Sequence, residues 1–132
     1  MDERVTTAGI AIKEGKILVA HRVQGGSLSE KWEFPGGKQR WGENDEETLR
    51  REYMEELGVP ISVHEEIVSF DFTNKTTLYH LKAHLIELLS EDFTLKVHSE
   101  IKWVPSEELF LLDMGESDSR IRSRVASFLL NT

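Results

Sequence analysis

The sequence contains no cysteine, and acidic residues outnumber basic residues by 24 to 16. A chain without cysteine has no disulfide, no thiolate metal site and no cysteine nucleophile. The absence of disulfides also fits a reducing compartment, so we expect a cytoplasmic protein. Any chemistry must therefore come from carboxylates, histidines, hydroxyls or bound ions.

Long hydrophobic runs are also missing. No stretch approaches the roughly 20 apolar residues that a transmembrane helix needs. The first four residues, MDER, are polar, and no hydrophobic region follows them. We therefore expect neither a membrane segment nor a signal peptide.

Positive charge is scarce, since the net charge is −8. That balance argues against a protein that grips a nucleic-acid backbone over a broad basic surface. A small nucleotide stays compatible with it, because such a ligand brings its own Mg²⁺ and needs only a few local cations. The 132 residues, 39% hydrophobic and 30% charged, suit one soluble globular domain, 1–132, with one substantial core.

Apolar alternation and turn residues predict the order of the elements. Strands are expected at 5–12 and 16–23 across a Glu14-Gly15 turn, at 61–72 and 76–88 around 73–75, and at 100–104. Residues 24–31 are expected to form a glycine-containing loop. Helices are expected at 45–57 and 117–130. This order predicts an α/β (α+β) fold with a mixed sheet between helices.

Glycine and proline mark the ends of the first helix. Asn44 or Asp45 can cap its start, and Gly58 is expected to end it. Upstream, the run PGG at 35–37 is expected to force a turn, because glycine tolerates positive φ and close backbone approach.

Three glutamates, Glu52, Glu55 and Glu56, share one face of that helix at spacing i, i+3, i+4. Adjacent carboxylates repel each other unless water or a cation separates them, and hard cations such as Mg²⁺ prefer carboxylate oxygens. Charge runs are usually solvated, so composition alone favours a plain acidic surface. The upstream glycine pair, Glu43 and the neighbouring Arg51 favour a metal site instead.

Residues 37–59 resemble the Nudix box, G-x5-E-x7-R-E-U-x-E-E-x-G-U, in which U is a bulky aliphatic residue. Eight positions match: Gly37, Glu43, Arg51, Glu52, Glu55, Glu56, Gly58 and Val59. Tyr53 departs from the pattern, and we expect its ring to fill the same apolar slot if its hydroxyl reaches a partner. The run KWEFPGGK at 31–38 and Trp103 resemble the MutT-like branch of this family.

The resemblance implies a Nudix α/β/α sandwich and a metal-dependent active site. It implies that Mg²⁺ or Mn²⁺ is bound by Glu52, Glu55 and Glu56 with the backbone carbonyl of Gly37, and that Arg51 orients a glutamate. Glu100 resembles a further metal ligand or base, although an exposed strand end is the simpler interpretation of this residue. The general base is therefore either Glu52 or Glu100.

Three further residues are implied as substrate contacts. Arg22 and Lys38 match basic positions of the MutT-like pattern and would contact phosphates, although a solvent-facing cation is the common fate of such a lysine. Asp118 lies where the branch often places an acid or amide that reads the edge of the base. It equally fits an N-cap acid favoured by the helix dipole.

The implied reaction is hydrolysis of a nucleoside triphosphate to the nucleoside monophosphate and pyrophosphate by a metal-activated water, with 8-oxo-dGTP as the expected substrate. Hydrolysis of ADP-ribose or of a dinucleoside polyphosphate is the alternative within the family. A non-catalytic ligand-sensing or interaction module is the alternative of another class, but such modules often lose the box glutamates, which are all present here. We expect a small-molecule ligand, no nucleic-acid or membrane partner, and a monomer or homodimer.

Overall fold

In the computed structural model, which describes residues 2–23 and 30–130, the described residues form seven strands and three helices. The strands are β1 (Asp2–Lys13), β2 (Lys16–Arg22), β3 (Trp32–Glu33), β4 (Gly36–Lys38), β5 (Ile61–Asn74), β6 (Thr77–Leu88) and β7 (His98–Pro105). The helices are α1 (Asp45–Leu57), α2 (Ser106–Leu109) and α3 (Glu116–Leu130). Most of the loop expected at 24–31 lies outside the described residues.

The strands form a mixed sheet in the order β3-β2-β1-β6-β5, with β4 paired to β1 and β7 paired to β2. Strand β1 runs parallel to β6, and the other pairs are antiparallel. The β1–β2 hairpin turns at Glu14 and Gly15, with φ of 53° and 75°. Two successive residues with positive φ suit a tight hairpin turn, which is what the sequence predicts at this point.

Helix α1 has a specific signal at each end. The Asn44 side chain accepts a hydrogen bond from the Glu47 N–H, and the Glu47 carboxylate accepts one from the Asn44 N–H. This reciprocal capping box pairs backbone donors that a helix start leaves free. Gly58 ends the helix in the left-handed conformation, φ 70°, with its N–H bonded to the Met54 carbonyl. The two caps thereby set the first and last residues of the helix that carries the glutamates.

The sheet lies between two apolar layers. Helix α1 packs against one face in a cluster of buried residues: Ala11, Leu18, Leu49, Tyr53, Leu57, Val59, Ile61 and Ile86. Helix α3 packs against the other face through Ile121 and Val125, which contact the cluster around Ile10, Val19 and Leu81. The predicted mixed sheet between helices is therefore confirmed. No helix of the described residues is long and apolar enough to cross a membrane.

The prediction of a turn at the PGG run was wrong. Gly36 and Gly37 belong to β4 and pair with Ala8 and Thr7 of β1, and neither has a positive φ. Close approach is the reason for glycine here. A Cβ on Gly36 would lie 2.2 Å from the carbonyl oxygen of Thr7, so any side chain would push β4 away from β1.

Candidate active site

The three glutamates of α1 differ in their exposure to solvent. Glu56 is only 8% exposed, and the side chain of Glu52 is 14% exposed. Glu55 is half exposed, at 49%. The three carboxylates thus run from the protein interior to solvent along one helix face.

Arg51 holds the outer part of this face together. Its Nη1 donates to Glu52 Oε1 at 2.7 Å and to Glu55 Oε2 at 3.3 Å. Its Nε and Nη2 bind the two oxygens of Glu43 at 2.6 and 3.0 Å, and Nη2 also donates to the Lys38 carbonyl at 3.1 Å. The guanidinium of Arg51 therefore connects the glutamates of α1, the loop before the helix and strand β4. Its bonds to the carboxylates are charge-assisted.

Glu43 ties the loop before α1 to the helix. Besides the Arg51 contact, its carboxylate accepts from the Arg40 N–H at 2.8 Å and from the Thr48 hydroxyl at 3.1 Å. The bond from Arg51, followed by that from the Arg40 N–H, lowers the pKa of Glu43 to about 2. Both carboxylate oxygens of Glu43 accept hydrogen bonds from the protein, so its role is to hold the loop against the helix.

Gly37 lies directly against the glutamate face. A Cβ at this position would lie 2.5 Å from Glu52 Cδ, so a side chain would displace the carboxylate itself. The Gly37 carbonyl accepts a hydrogen bond from the Thr7 hydroxyl at 2.9 Å. Gly37 is also the register partner of Thr7 in the β1–β4 ladder, so Thr7 and the sheet hold this carbonyl in place beside Glu52.

Glu56 carries the clearest sign that the site is built for a cation. Burial, followed by the neighbouring Glu52 and Glu33 carboxyl groups, raises its pKa to about 9. Its Oε1 atom has no hydrogen-bond partner among the described residues. A buried carboxylate that is unfavourable alone becomes favourable beside a hard divalent cation, and the oxygen donors of this face fit Mg²⁺ or Mn²⁺.

The two predicted phosphate contacts differ in their surroundings. Arg22 lies at the end of β2, 30% exposed in its side chain, and its Nε binds Glu33 Oε1 at 3.0 Å. Lys38 lies on the exposed end of β4, with its Nζ 5.4 Å from the centre of the Tyr79 ring. Lys38 thus contacts an aromatic ring, whereas Arg22 is held by a buried acid.

Asp118 lies in the first turn of α3, two residues after its first residue, Glu116. Its Oδ1 accepts a hydrogen bond from the Phe34 N–H at 3.1 Å instead of capping its own helix. Burial raises the pKa of Asp118 to about 7, with the Phe34 bond opposing the rise. Near neutral pH this carboxyl group can therefore either accept or donate a hydrogen bond.

Glu100 lies apart from the gathered ligands. It is exposed on β7, opposite His21 of β2. Among the described residues, two clusters of three ligand-type side chains have ligand atoms within 4.8 Å of one another, and neither cluster contains Glu100, Glu52 or Glu55. Its role as a ligand or base stays a prediction.

Two residues that the sequence analysis missed, Glu33 and His98, belong to one of those clusters, together with Glu56. Glu33 lies within the WEFPGG run, and His98 lies two residues before Glu100. The WEFPGG run was the one sequence signal for Glu33. No fixed spacing in the sequence relates Glu33 or His98 to the glutamates of α1. The other cluster contains Asp45 at the start of α1, Glu66 of β5 and His84 of β6.

Comparison with known proteins places this geometry in context. The family model described as NUDIX domain matches residues 3–125. The chain is 33% identical over 120 residues to an 8-oxo-dGTP diphosphatase of Haemophilus influenzae, covering 88% of this chain and 85% of that protein. It is 30% identical over 111 residues to a CTP pyrophosphohydrolase of Escherichia coli, covering 84% and 82%. The solution structure of the E. coli ORF135 protein superposes with a TM-score of 0.80 at 29% identity, covering 96% of this chain and 91% of that one.

Proposed function

Since the chain belongs to the NUDIX family as a MutT-like hydrolase of phosphoanhydride bonds, we propose that its substrate is 8-oxo-dGTP or a related nucleoside triphosphate. The products are the nucleoside monophosphate and pyrophosphate, and the cofactor is Mg²⁺ or Mn²⁺. The observation that carries the proposal is the acidic face of α1, held by Arg51 and ending in the buried, unpartnered oxygen of Glu56.

The cation site consists of Glu52, Glu55, Glu56 and the carbonyl of Gly37. A cation bound there supplies charge neutralisation at the phosphates and lowers the pKa of a water molecule. The role of Arg51 is to keep Glu52 and Glu55 in place before substrate arrives, so that the binding of phosphate does not have to reorganise them.

Water attacks phosphorus, one P–O bond of the anhydride breaks, and a carboxylate accepts the proton of the water. Glu52 and Glu100 are the two candidates for this base. Glu52 is fixed beside Gly37, which supports it as the residue nearest the phosphates. Glu100 is exposed on β7 and would have to approach with the substrate bound, a rearrangement that catalytic groups in ligand-free structures often require.

Arg22 and Lys38 bind the phosphates. Asp118 recognises the nucleobase of the substrate by hydrogen bonding to its edge. A guanine-type base presents N–H donors that a carboxylate accepts, and a protonated carboxyl group can donate to a carbonyl oxygen. The name of the H. influenzae relative supports an oxidised guanine triphosphate. The E. coli relative supports CTP as the second candidate, because the cytosine amine can donate to the same carboxylate.

The test is pyrophosphate release with Mg²⁺ across 8-oxo-dGTP, the common triphosphates, ADP-ribose and a dinucleoside polyphosphate, with monophosphate measured in parallel. Glu52→Gln should lose activity by about 10³-fold or more, if it combines ligand and base roles. Glu46→Gln is the matched control, since Glu46 lies on the same helix and pairs with exposed Arg50 at 3.0 Å. Glu100→Gln separates the two candidate bases.

Preferred release of pyrophosphate from one triphosphate, lost in Glu52→Gln and kept in Glu46→Gln, would support the proposal and name the substrate. Turnover of ADP-ribose or the dinucleotide alone would overturn the substrate assignment. Nucleotide binding by the folded protein without turnover of any compound would favour the non-catalytic module.

A further inference from the structure

A histidine and two glutamates meet at the inner end of the acidic face. His98 of β7, Glu33 of β3 and Glu56 of α1 each offer one ligand atom, and these atoms lie within 4.8 Å of one another. All three residues are buried, with exposures of 4%, 7% and 8% in that order. Three chain segments that are distant in sequence thus bring two carboxylates and an imidazole into one nearly dry volume.

The imidazole of His98 is oriented by Glu33. The distance from His98 Nε2 to Glu33 Oε2 is 2.8 Å. A carboxylate oxygen accepts, so Nε2 carries the proton of this bond, and the neutral ring then has its lone pair on Nδ1. That arrangement, in which a carboxylate fixes the tautomer and direction of a histidine, is typical of histidines that bind metals.

The remaining acceptors of this cluster are unpartnered. His98 Nδ1 and Glu56 Oε1 are the two buried side-chain atoms of the described residues for which no hydrogen-bond partner exists. Both are lone-pair sites, and buried polar atoms are normally paired with protein or with ordered water. The pairing of Nε2 with Glu33 explains the orientation of the ring but leaves Nδ1 unexplained.

The charge of the cluster is also incomplete. Glu33 is paired with Arg22, whose Nε lies 3.0 Å from Oε1. With both carboxylates ionised, one guanidinium balances one of two negative charges. Ionisation of Glu56 would add one buried negative charge that the Arg22–Glu33 pair does not balance, and a bound cation would balance it.

We propose that Glu56 and His98 bind a divalent cation at the inner end of the glutamate face, through Glu56 Oε1 and His98 Nδ1, while Glu33 accepts the hydrogen bond of His98 Nε2 and orients the imidazole. Imidazole suits Co²⁺ and Zn²⁺, whereas Mg²⁺ prefers oxygen ligands and keeps its waters. The site therefore selects transition metals over Mg²⁺. The inference rests on the proposed function in one respect, because Glu56 is shared with the proposed Mg²⁺ ligands.

The alternative is a structural network in which Arg22, Glu33 and His98 hold three strands together without any metal. Both interpretations predict that substitutions here destabilise the protein, so stability cannot separate them. Direct observation of the His98 ring nitrogens does separate them, because only a metal site changes their state when metal is added.

The experiment is ¹⁵N NMR of the histidine side chains in the full chain during titration with ZnCl₂, and separately with MgCl₂, without nucleotide. Co²⁺ absorption spectra and isothermal titrations with Zn²⁺ and with Mg²⁺ are recorded for the wild type, His98→Gln and His80→Gln. His80 is the matched control, since it lies on β6 between Glu3 and Asp71, at 2.9 and 2.8 Å, outside the site.

We expect Zn²⁺, but not Mg²⁺, to shift a ring nitrogen of His98, and Co²⁺ to give visible bands that His98→Gln abolishes. The affinity for Zn²⁺ should fall at least about 10-fold in His98→Gln and stay unchanged in His80→Gln, with the affinity for Mg²⁺ altered less than about threefold. Unmoved His98 nitrogens at saturating Zn²⁺ would overturn the inference. That result stands on the wild type alone, even if His98→Gln does not fold.

Failure of this inference and failure of the proposed function are distinguishable. The titrations contain no nucleotide, so a silent His98 leaves pyrophosphate release with Mg²⁺ untouched. Conversely, a His98 metal site in a protein that hydrolyses nothing would support the cation site and reject the hydrolase assignment.

Discussion

Replacement of Tyr53 by leucine should destabilise the protein and at the same time make room for a side chain at residue 9. Tyr53 departs from the family pattern, and the structure shows how the chain accommodates it. The ring is fully buried, and the hydroxyl donates to the Gly9 carbonyl at 3.0 Å. A Cβ on Gly9 would lie 2.6 Å from Tyr53 Cε1 and 2.7 Å from its hydroxyl oxygen.

These contacts set the magnitudes. Tyr53→Phe removes one buried hydrogen bond and should cost about 1–2 kcal/mol. Tyr53→Leu also removes ring volume from a close-packed layer, for a total of about 3 kcal/mol. Gly9→Ala in the wild type should cost about 1–3 kcal/mol, since the ring must shift. In the Tyr53→Leu background the same alanine meets no ring, so its cost should fall to about 0.5 kcal/mol or less.

The assay is urea unfolding at equilibrium, followed by circular dichroism, of the wild type, of Gly9→Ala, Tyr53→Phe and Tyr53→Leu, and of the double variant Gly9→Ala/Tyr53→Leu. Tyr79→Phe is the matched control, because Tyr79 is 8% exposed and stacks on Phe72 with ring centres 5.2 Å apart. Additive effects of Gly9→Ala and Tyr53→Leu would refute the close-contact reasoning. Equal costs for Tyr53→Phe and Tyr79→Phe would refute the role of the hydrogen bond.

Three further predictions concern the site. Arg51→Lys keeps the charge but loses the paired contacts to Glu43, at 2.6 and 3.0 Å. The free energy of unfolding in urea should therefore fall by about 2 kcal/mol, and kcat/KM should fall at least about tenfold. Because the pKa of Glu56 is about 9 in the folded protein and 4.5 in a model carboxyl, stability without divalent cations should decrease as pH rises between these values. Mg²⁺ should then raise the Tm more at pH 8.5 than at pH 6.5, and equal shifts would contradict this linkage. Since the pKa of Asp118 is about 7, kcat/KM for the preferred triphosphate should titrate near that pH, and Asp118→Asn should remove the transition.

Features that depend on local spacing could be predicted from the sequence. An α-helix brings residues three and four apart onto one side, so the shared face of Glu52, Glu55 and Glu56 follows from their positions alone. The cap at Asn44 and the stop at Gly58 are likewise short-range, because the atoms that bond lie within four residues. The hairpin at Glu14-Gly15 belongs to the same class.

Features that depend on which strands meet could not be predicted in this way. The PGG run was expected to turn, but glycine permits close strand pairing as well as positive φ, and only the position of β1 shows which property is used. Asp118 was compatible with an N-cap or a site residue, and the Phe34 N–H, 84 positions away in sequence, is its observed partner. The hydroxyl of Tyr53 needed a partner, and β1 supplies it at Gly9.

The sequence by itself thus determined the fold class, the helix and its row of glutamates. The tertiary structure alone decided that Glu33 and His98, 65 positions apart, meet Glu56 in the protein interior. The reason is the register of β7 on β2, which shifts between His21 and Arg22 and places His98 opposite Arg22 and Glu100 opposite His21. In a strand, a shift of one residue changes which side chains face the core, and no local spacing in the sequence encodes that shift.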